Sequence, residues 1–297
     1  MRIGGLEAGG TKMVCAVGNE KGEVLERISI PTLTPDETFP KMIAYYKEKK
    51  IDALGIGSFG PVDLDKKSPA YGSITKTPKP GWSGINFVKR MQDALQIPVG
   101  FDTDVNAAVL GEVTFGAAKG CDPAIYITVG TGVGVGVYAN GALIHGLVHP
   151  EGGHILLQKD SRDTYQGCCP FHRNCVEGLA SGPAIYGRYG REAKLLADNP
   201  DVWELESEYL AQAIVNYIMM YSPQKIILWG GVMHQAGLFP MIREKVKTKM
   251  NGYVNHPMVL QHMDDYIVPP GLGENPGVLG AVKLGLSALE EDNKVIW

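Results

Sequence analysis

Short apolar runs alternate with glycine-rich turns along the first thirty residues. RIGGLEA (2–8) and MVCAVG (13–18) read as two strands joined by a tight turn at GGTK, and NEKG (19–22) turns into a third, EVLERISI (23–30). FPKMIAYYKEKK (39–50) and INFVKRMQDALQ (85–96) carry the helical period, whereas IDALGIGSFG (51–60) and IPVGFDTD (97–104) are strand-like. The plan recurs later in the chain as AIYITV (124–129), a Gly-Thr-Gly turn, VGVGVYA (133–139), an Asn140-Gly141 hairpin turn and a strand ALIHG (142–146). A long apolar-periodic segment (207–222), the strand QKIILWGG (224–231), a helix over 239–250 and a helical tail over 277–291 follow. Two meanders with a glycine turn after the first strand predict a duplicated α/β fold. The expected division is 1–118, joined by the tail helix 277–291, and 119–276.

Composition narrows the classes without changing this outline. The 297 residues suit about two domains. A hydrophobic content of 44% and a net charge of −4 with no basic run argue against a nucleic-acid partner. No apolar run approaches the ~20 residues a membrane span needs. MRIGGLEAGG lacks a charged region followed by an apolar one, so it is not expected to be a secretion signal. A cytoplasmic location is expected, where clustered cysteines serve metals more often than disulfides.

Three of the five cysteines lie between residues 168 and 175. Cys169-x-x-His172-x-x-Cys175, with His154 returning from upstream, offers four thiolate or imidazole donors, the set that suits closed, tetrahedral, structural zinc. Spacing alone leaves Cys168 as an alternative to Cys169. The polar loop between His154 and Cys169 cannot pack a core, so a metal would supply the order it lacks.

Glu7-Ala-Gly9-Gly10-Thr11-Lys12 lies between two strands, and Gly130-Thr131-Gly132 occupies the corresponding place in the second half. Such turns present backbone N–H groups to anions, and a pair of them fits a polyphosphate. Gly230-Gly231, after the strand KIIL, is a third glycine turn at a strand end. Gly55-Ile-Gly57-Ser-Phe-Gly60 matches the GxGxxG spacing, but Pro61 follows at once and no helix begins there, so the dinucleotide reading is rejected. No GxxxxGKS/T motif occurs. Asp102-Thr103-Asp104-Val105-Asn106 stands at a strand end before a helix, where one carboxylate caps and another, Asp104, can serve as a general base.

On these residues the chain resembles the ROK family of sugar kinases and sugar-responsive repressors. EAGGTK and VGTGVGVGV are similar to its two phosphate loops, DTDVNAAVLGE to its catalytic segment, HPEGGH with CCPFHRNCVEGLASGPA to its zinc and sugar motif, and ILWGGV to its adenosine-side loop. GSFGPVDLD and TPKPGW resemble the bacterial fructokinase branch. The resemblance implies an actin-like, hexokinase-like (ribonuclease H-like) fold that transfers phosphate from ATP, with Mg²⁺, to the 6-hydroxyl of a hexose, D-fructose first. The alternatives are mannose, glucose or N-acetylmannosamine as acceptor, or a non-catalytic sugar sensor. It implies Asp104 as general base; Glu151, His154, Glu177, Gly60 and Pro61 at the sugar; and Gly9, Gly10, Thr11, Lys12, Thr131, Gly132, Gly230 and Gly231 at the nucleotide. It also implies His154, Cys169, His172 and Cys175 on zinc, and a homodimer. Glu7 stands where the family carries Asp near the magnesium, and Thr103 where it often carries Asn. With only six residues ahead of Glu7, no DNA-reading domain is expected.

Overall fold

The computed structural model describes residues 1–235 and 237–295. It contains two compact units: Met1–Gly120 with Ala142–Pro150 and the chain from Gly271 onward, and Cys121–Gly141 with Glu151–Pro270.

The first unit is built on a sheet of order β3-β2-β1-β4-β5. β1 (Ile3–Ala8), β2 (Lys12–Gly18) and β3 (Val24–Pro31) form an antiparallel meander, and β4 (Ala53–Ser58) and β5 (Val99–Thr103) continue it in parallel. Parallel strands need crossovers, and α1 (Pro35–Lys49) and α2 (Phe87–Leu95) lie in them. One face of the sheet contributes to a core that includes Leu6, Met13, Met42, Tyr46, Ile56, Trp82 and Phe87, all inaccessible to solvent or nearly so.

Glycine lines the other face. Gly5, Gly55 and Gly100 are register partners across β1, β4 and β5. The C-terminal helix α10 (Pro276–Val295) lies on that row so closely that a Cβ on Gly55 would stand 1.7 Å from the Ala281 carbonyl oxygen. α3 (Asp104–Phe115) packs as tightly on α10, with a Cβ on Gly280 falling 1.5 Å from the Ala107 carbonyl oxygen. Gly57 faces α3 as well, its would-be Cβ 2.6 Å from that of Ala107, so Gly55 and Gly57 of the GxGxxG match serve helix packing.

The second unit repeats the plan. β6 (Ala124–Val129) pairs antiparallel with β7 (Val133–Ala139) and parallel with β9 (Lys225–Trp229), and β9 pairs parallel with β10 (Ile267–Val268). β1 has the same kinds of neighbour in its own sheet, so the fold is a duplicated α/β arrangement. The Asp122 carboxylate accepts the N–H groups of Asn140 and Gly141, each at 2.7 Å, and fixes the hairpin turn. The strand β8 (Ala142–Leu143) after it is shorter than the sequence pattern predicts. His145 leaves the strand direction to bond Asp102 in the first unit's own sheet.

Around the second sheet lie α4 (Val176–Ala180), α5 (Gly182–Tyr189), α6 (Pro200–Tyr221), α7 (Leu238–Met250), α8 (Pro257–Leu260) and α9 (Met263–Tyr266). No described helix is long and apolar enough to cross a membrane.

Candidate active site

In the second unit, one ligand atom each from His154, Cys169, His172 and Cys175 lies within 4.8 Å of the others. His154 ends a one-turn 3-10 helix (Gly152–His154), and Cys175 is the N-cap of α4. The Cys175 Sγ is 3.5 Å from the His154 Nδ1, and the Cys169 Sγ is 3.8 Å from the Nδ1 of both His154 and His172. A tetrahedral ion with bonds of about 2.3 Å to sulfur and about 2.0 Å to nitrogen sets its ligand atoms roughly 3.4–3.8 Å apart, so the donors fit zinc in kind and in spacing. Burial pushes the Cys175 thiol up to about 11. Cys168 faces away from the group, its Sγ 3.4 Å from the Ser181 hydroxyl.

The same segment reaches the second glycine turn. Two residues after Cys175, Glu177 accepts the Val133 N–H at 3.1 Å, and a Cβ on Gly132 would approach its carboxylate to 2.7 Å. The Gly182 N–H bonds the Gly130 carbonyl at 2.8 Å. A cavity of about 570 Å³ opens there, lined by Gly130, Thr131, Gly182, Pro183, Tyr186, Glu192, Ala193, Gly231 and Val232. Gly230 holds φ of +106°, and a Cβ there would lie 2.3 Å from the Val129 carbonyl oxygen, so only glycine fits under Gly231. Glu151, exposed at the start of the 3-10 turn, accepts the His154 N–H through its carbonyl.

In the first unit, the exposed turn from Gly10 to Lys12 is tied from below by Thr32. The Thr32 hydroxyl donates to the Gly9 carbonyl at 2.7 Å, and its N–H to the Thr11 carbonyl at 2.9 Å. Glu7, Gly57 and Asp102 are register partners in one row across β1, β4 and β5. A Cβ on Gly277, at the start of α10, would come within 2.8 Å of the Glu7 carboxylate. Burial raises that carboxyl against the pull of Lys12 and Arg27.

Asp104 opens α3 just past the end of β5, and its Oδ1 accepts the Val105 N–H at 2.9 Å. The positive end of the helix favours a carboxylate there. Thr103, one residue earlier, is the N-cap: its hydroxyl accepts the Asn106 N–H at 3.1 Å. Gly60 and Pro61 follow the end of β4, where the Pro61 carbonyl accepts the Thr75 N–H and His149 packs against Gly60. The His149 Nε2 accepts the Val62 N–H at 3.3 Å. His145 bonds the Asp102 Oδ2 through Nε2 at 2.8 Å, and that carboxylate holds the imidazole above its ordinary value.

A profile of the ROK family matches residues 3–287. The chain belongs to the ROK family. A Bacillus subtilis (strain 168) protein named provisionally as a fructokinase is 52% identical over 290 residues, covering 98% of this chain and 97% of that one. The fructokinase of Pediococcus pentosaceus is 47% identical, covering 98% and 99%. Among solved structures, a ROK family glucokinase from Streptomyces griseus, in complex with glucose and AMPPNP, overlays with a TM-score of 0.77 at 24% identity over 97% of this chain and 100% of that one.

Within this ROK chain the structure gathers the four zinc-type donors, Glu177 and the second glycine turn in one unit. It places Glu7, Gly9 to Lys12, Gly60, Pro61 and Asp104 in the other. Four positioning side chains escape a reading of the sequence: Thr32, Asp102, His145 and His149. The HGLVHP stretch carried a signal in its two histidines, but their partners lie 43 and 87 residues away.

Proposed function

We propose that this ROK protein transfers the terminal phosphate of ATP to a hexose, D-fructose before other hexoses, giving fructose 6-phosphate. The observation that carries this reading is the match to relatives named as fructokinases at 47–52% identity along nearly the whole of both chains. The nucleotide complex of the Streptomyces griseus relative supports ATP as donor.

In this reading the sugar O6 attacks the γ-phosphorus, the bond to the β-γ bridging oxygen breaks, and ADP leaves. Asp104 accepts the hydroxyl proton as the new bond forms. Its place at the start of α3, with its Oδ1 on the Val105 N–H, fixes its direction. The turns at Gly9–Lys12 and Gly130–Gly132 are closed by the Gly9 and Gly130 N–H groups and hold the polyphosphate through the N–H groups between, and the cavity at Thr131, Tyr186 and Gly231 takes the nucleoside. Mg²⁺, when bound, neutralises charge on the transferring group. Glu7 is the carboxylate available to it in the first row of the sheet. His154, Cys169, His172 and Cys175 would hold a zinc ion that ties down their segment, and Glu151 and Glu177, carried by that segment, orient the sugar. Orientation of this kind lowers barriers by several kcal/mol.

The reading takes the protein to be a cytoplasmic homodimer with one zinc per chain, which light scattering and metal analysis check. The decisive measurement is ADP formation across a panel of hexoses with ATP and Mg²⁺. Asp104→Asn is expected to lower kcat by about 10²–10⁴-fold. Turnover within a few-fold of wild type would remove Asp104 from its role.

A further inference from the structure

The segment Ala142–Pro150 lies in the first unit although its neighbours in sequence on both sides lie in the second. Leu147 is fully exposed and Val148 is 65% exposed, while Leu143, Ile144 and Pro150 are half-buried. Its two histidines make hydrogen bonds at the carboxyl ends of the parallel strands β4 and β5. His149 is buried and accepts the Val62 N–H just after β4. His145 bonds Asp102, the second-last residue of β5, but its side chain stays 44% exposed.

Ligands of open α/β sheets gather at such strand ends. Here Asp102 is tied to its neighbours by several hydrogen bonds. The Asp102 Oδ1 accepts the Thr103 N–H and the Asn106 side-chain amide, each at 2.8 Å, and its Oδ2 takes the His145 Nε2. The Thr103 hydroxyl caps α3. A carboxylate only accepts, so the His145 proton sits on Nε2 and Nδ1 points elsewhere. Among the described residues Nδ1 has no hydrogen-bond partner, and it belongs to a ring fixed by an aspartate two residues from Asp104. A buried carboxylate spent on a half-exposed imidazole is the arrangement that sets a ring nitrogen for a ligand.

We propose that His145 contacts the acceptor sugar, bonding one of its hydroxyls through Nδ1, and that Asp102 is the positioning residue that holds the ring. This rests on the kinase reading above. A tether for the segment and nothing more would leave sugar binding untouched or would harm every parameter together.

The test is steady-state kinetics with D-fructose and ATP varied separately, plus calorimetric titration of fructose into protein without nucleotide. His145→Ala is expected to raise the KM for fructose roughly 10–100-fold, the loss of a hydrogen bond to a fixed polar group, with the KM for ATP within about twofold. His145→Gln, which keeps a polar side chain, recovers part of the loss. Asp102→Asn raises the same KM, and the double variant falls well short of the product of the two effects because both act through one contact. A fructose KM and titrated affinity within twofold of wild type in His145→Ala overturns the proposal, as does an equal rise in both KM values. If His145→Ala does not fold, His145→Gln decides by the same two measures. A wild-type protein that phosphorylates no hexose would instead remove the reading beneath it.

Discussion

At the scale of single residues, three consecutive positions at the end of β5 do three different jobs. Asp102 is buried and feeds His145, Thr103 caps α3, and Asp104 opens the helix with a carboxylate. Since the Thr103 hydroxyl accepts the Asn106 N–H as the N-cap of α3, Thr103→Ala should cost about 1 kcal/mol of stability, the usual loss for an N-cap. It should leave the KM for fructose within about twofold. Thermal unfolding and sugar kinetics on that variant check both halves, and a large sugar-specific defect would mean that Thr103 touches the acceptor. The string DTDVN announces a strand end before a helix, but the expected capping carboxylate is not the cap: Thr103 takes that place and Asp102 turns to His145. The string cannot say which is which, because the side-chain period changes from two to 3.6 at this point and the direction of each side chain depends on where the change falls. His145 was illegible for a plainer reason, since no local pattern encodes a contact 43 residues away.

At the scale of elements, the metal segment is held from a second side. Asp163, in the polar loop between His154 and Cys168, accepts from Arg188 of α5 at 3.1 and 3.2 Å and from the Tyr209 hydroxyl of α6 at 2.7 Å. Burial alone would raise the Asp163 carboxyl, but Arg188, Tyr209 and the Tyr165 N–H outweigh it and hold it below the ordinary range. Its stabilising share is therefore complete above the unfolded value of about 3.9 and is lost as pH falls through the folded one. Asp163→Ala strands the buried Arg188 and should cost about 3–5 kcal/mol near pH 7, with the gap to wild type narrowing below about pH 4. The polar composition of this loop points to a metal as a source of its order; the partner on α5 lies beyond any sequence window. Glu206 of α6 has the opposite sign. It is fully buried, its oxygens have no hydrogen-bond partner among the described residues, and burial lifts it well above the ordinary range against the pull of Arg188. The folded chain keeps a proton that the unfolded chain releases above about pH 4.3, so stability falls as pH rises from there. Glu206→Met should thus raise Tm, and by more at pH 8 than at pH 5. Denaturation of both variants across pH tests the two signs together.

At the scale of the whole molecule, the duplication was legible because each meander repeats the same run, turn and run, and because the relevant pairings are local. The glycines of β1, β4 and β5 were not read as a row, since register across parallel strands is set by crossovers of tens of residues. Their use becomes plain only when the last helix is in place on the first unit. That return is fastened at its start by Glu112, a buried carboxylate of α3 that accepts the N–H groups of Ala117, Gly271 and Leu272 at 2.6, 3.0 and 3.1 Å. Beyond this clamp α10 runs over Gly5, Gly55 and Gly100 with backbone against backbone. Such a contact cannot be relaxed by a side-chain rotation, because the atoms that would collide with an added methyl are carbonyls of a helix already fixed on two sides. Gly55→Ala should therefore destabilise by more than the 1–3 kcal/mol typical of overpacking, and amide exchange should rise in β4, β5 and α10. Gly237→Ala, where an added Cβ meets nothing within 4 Å, should stay within about 0.5 kcal/mol of wild type. Equal unfolding midpoints for the two variants would show that the helix does not rest on the glycine row, and the close packing that brings the end of the chain back to the sheet of Glu7 and Asp102 would have to be given up.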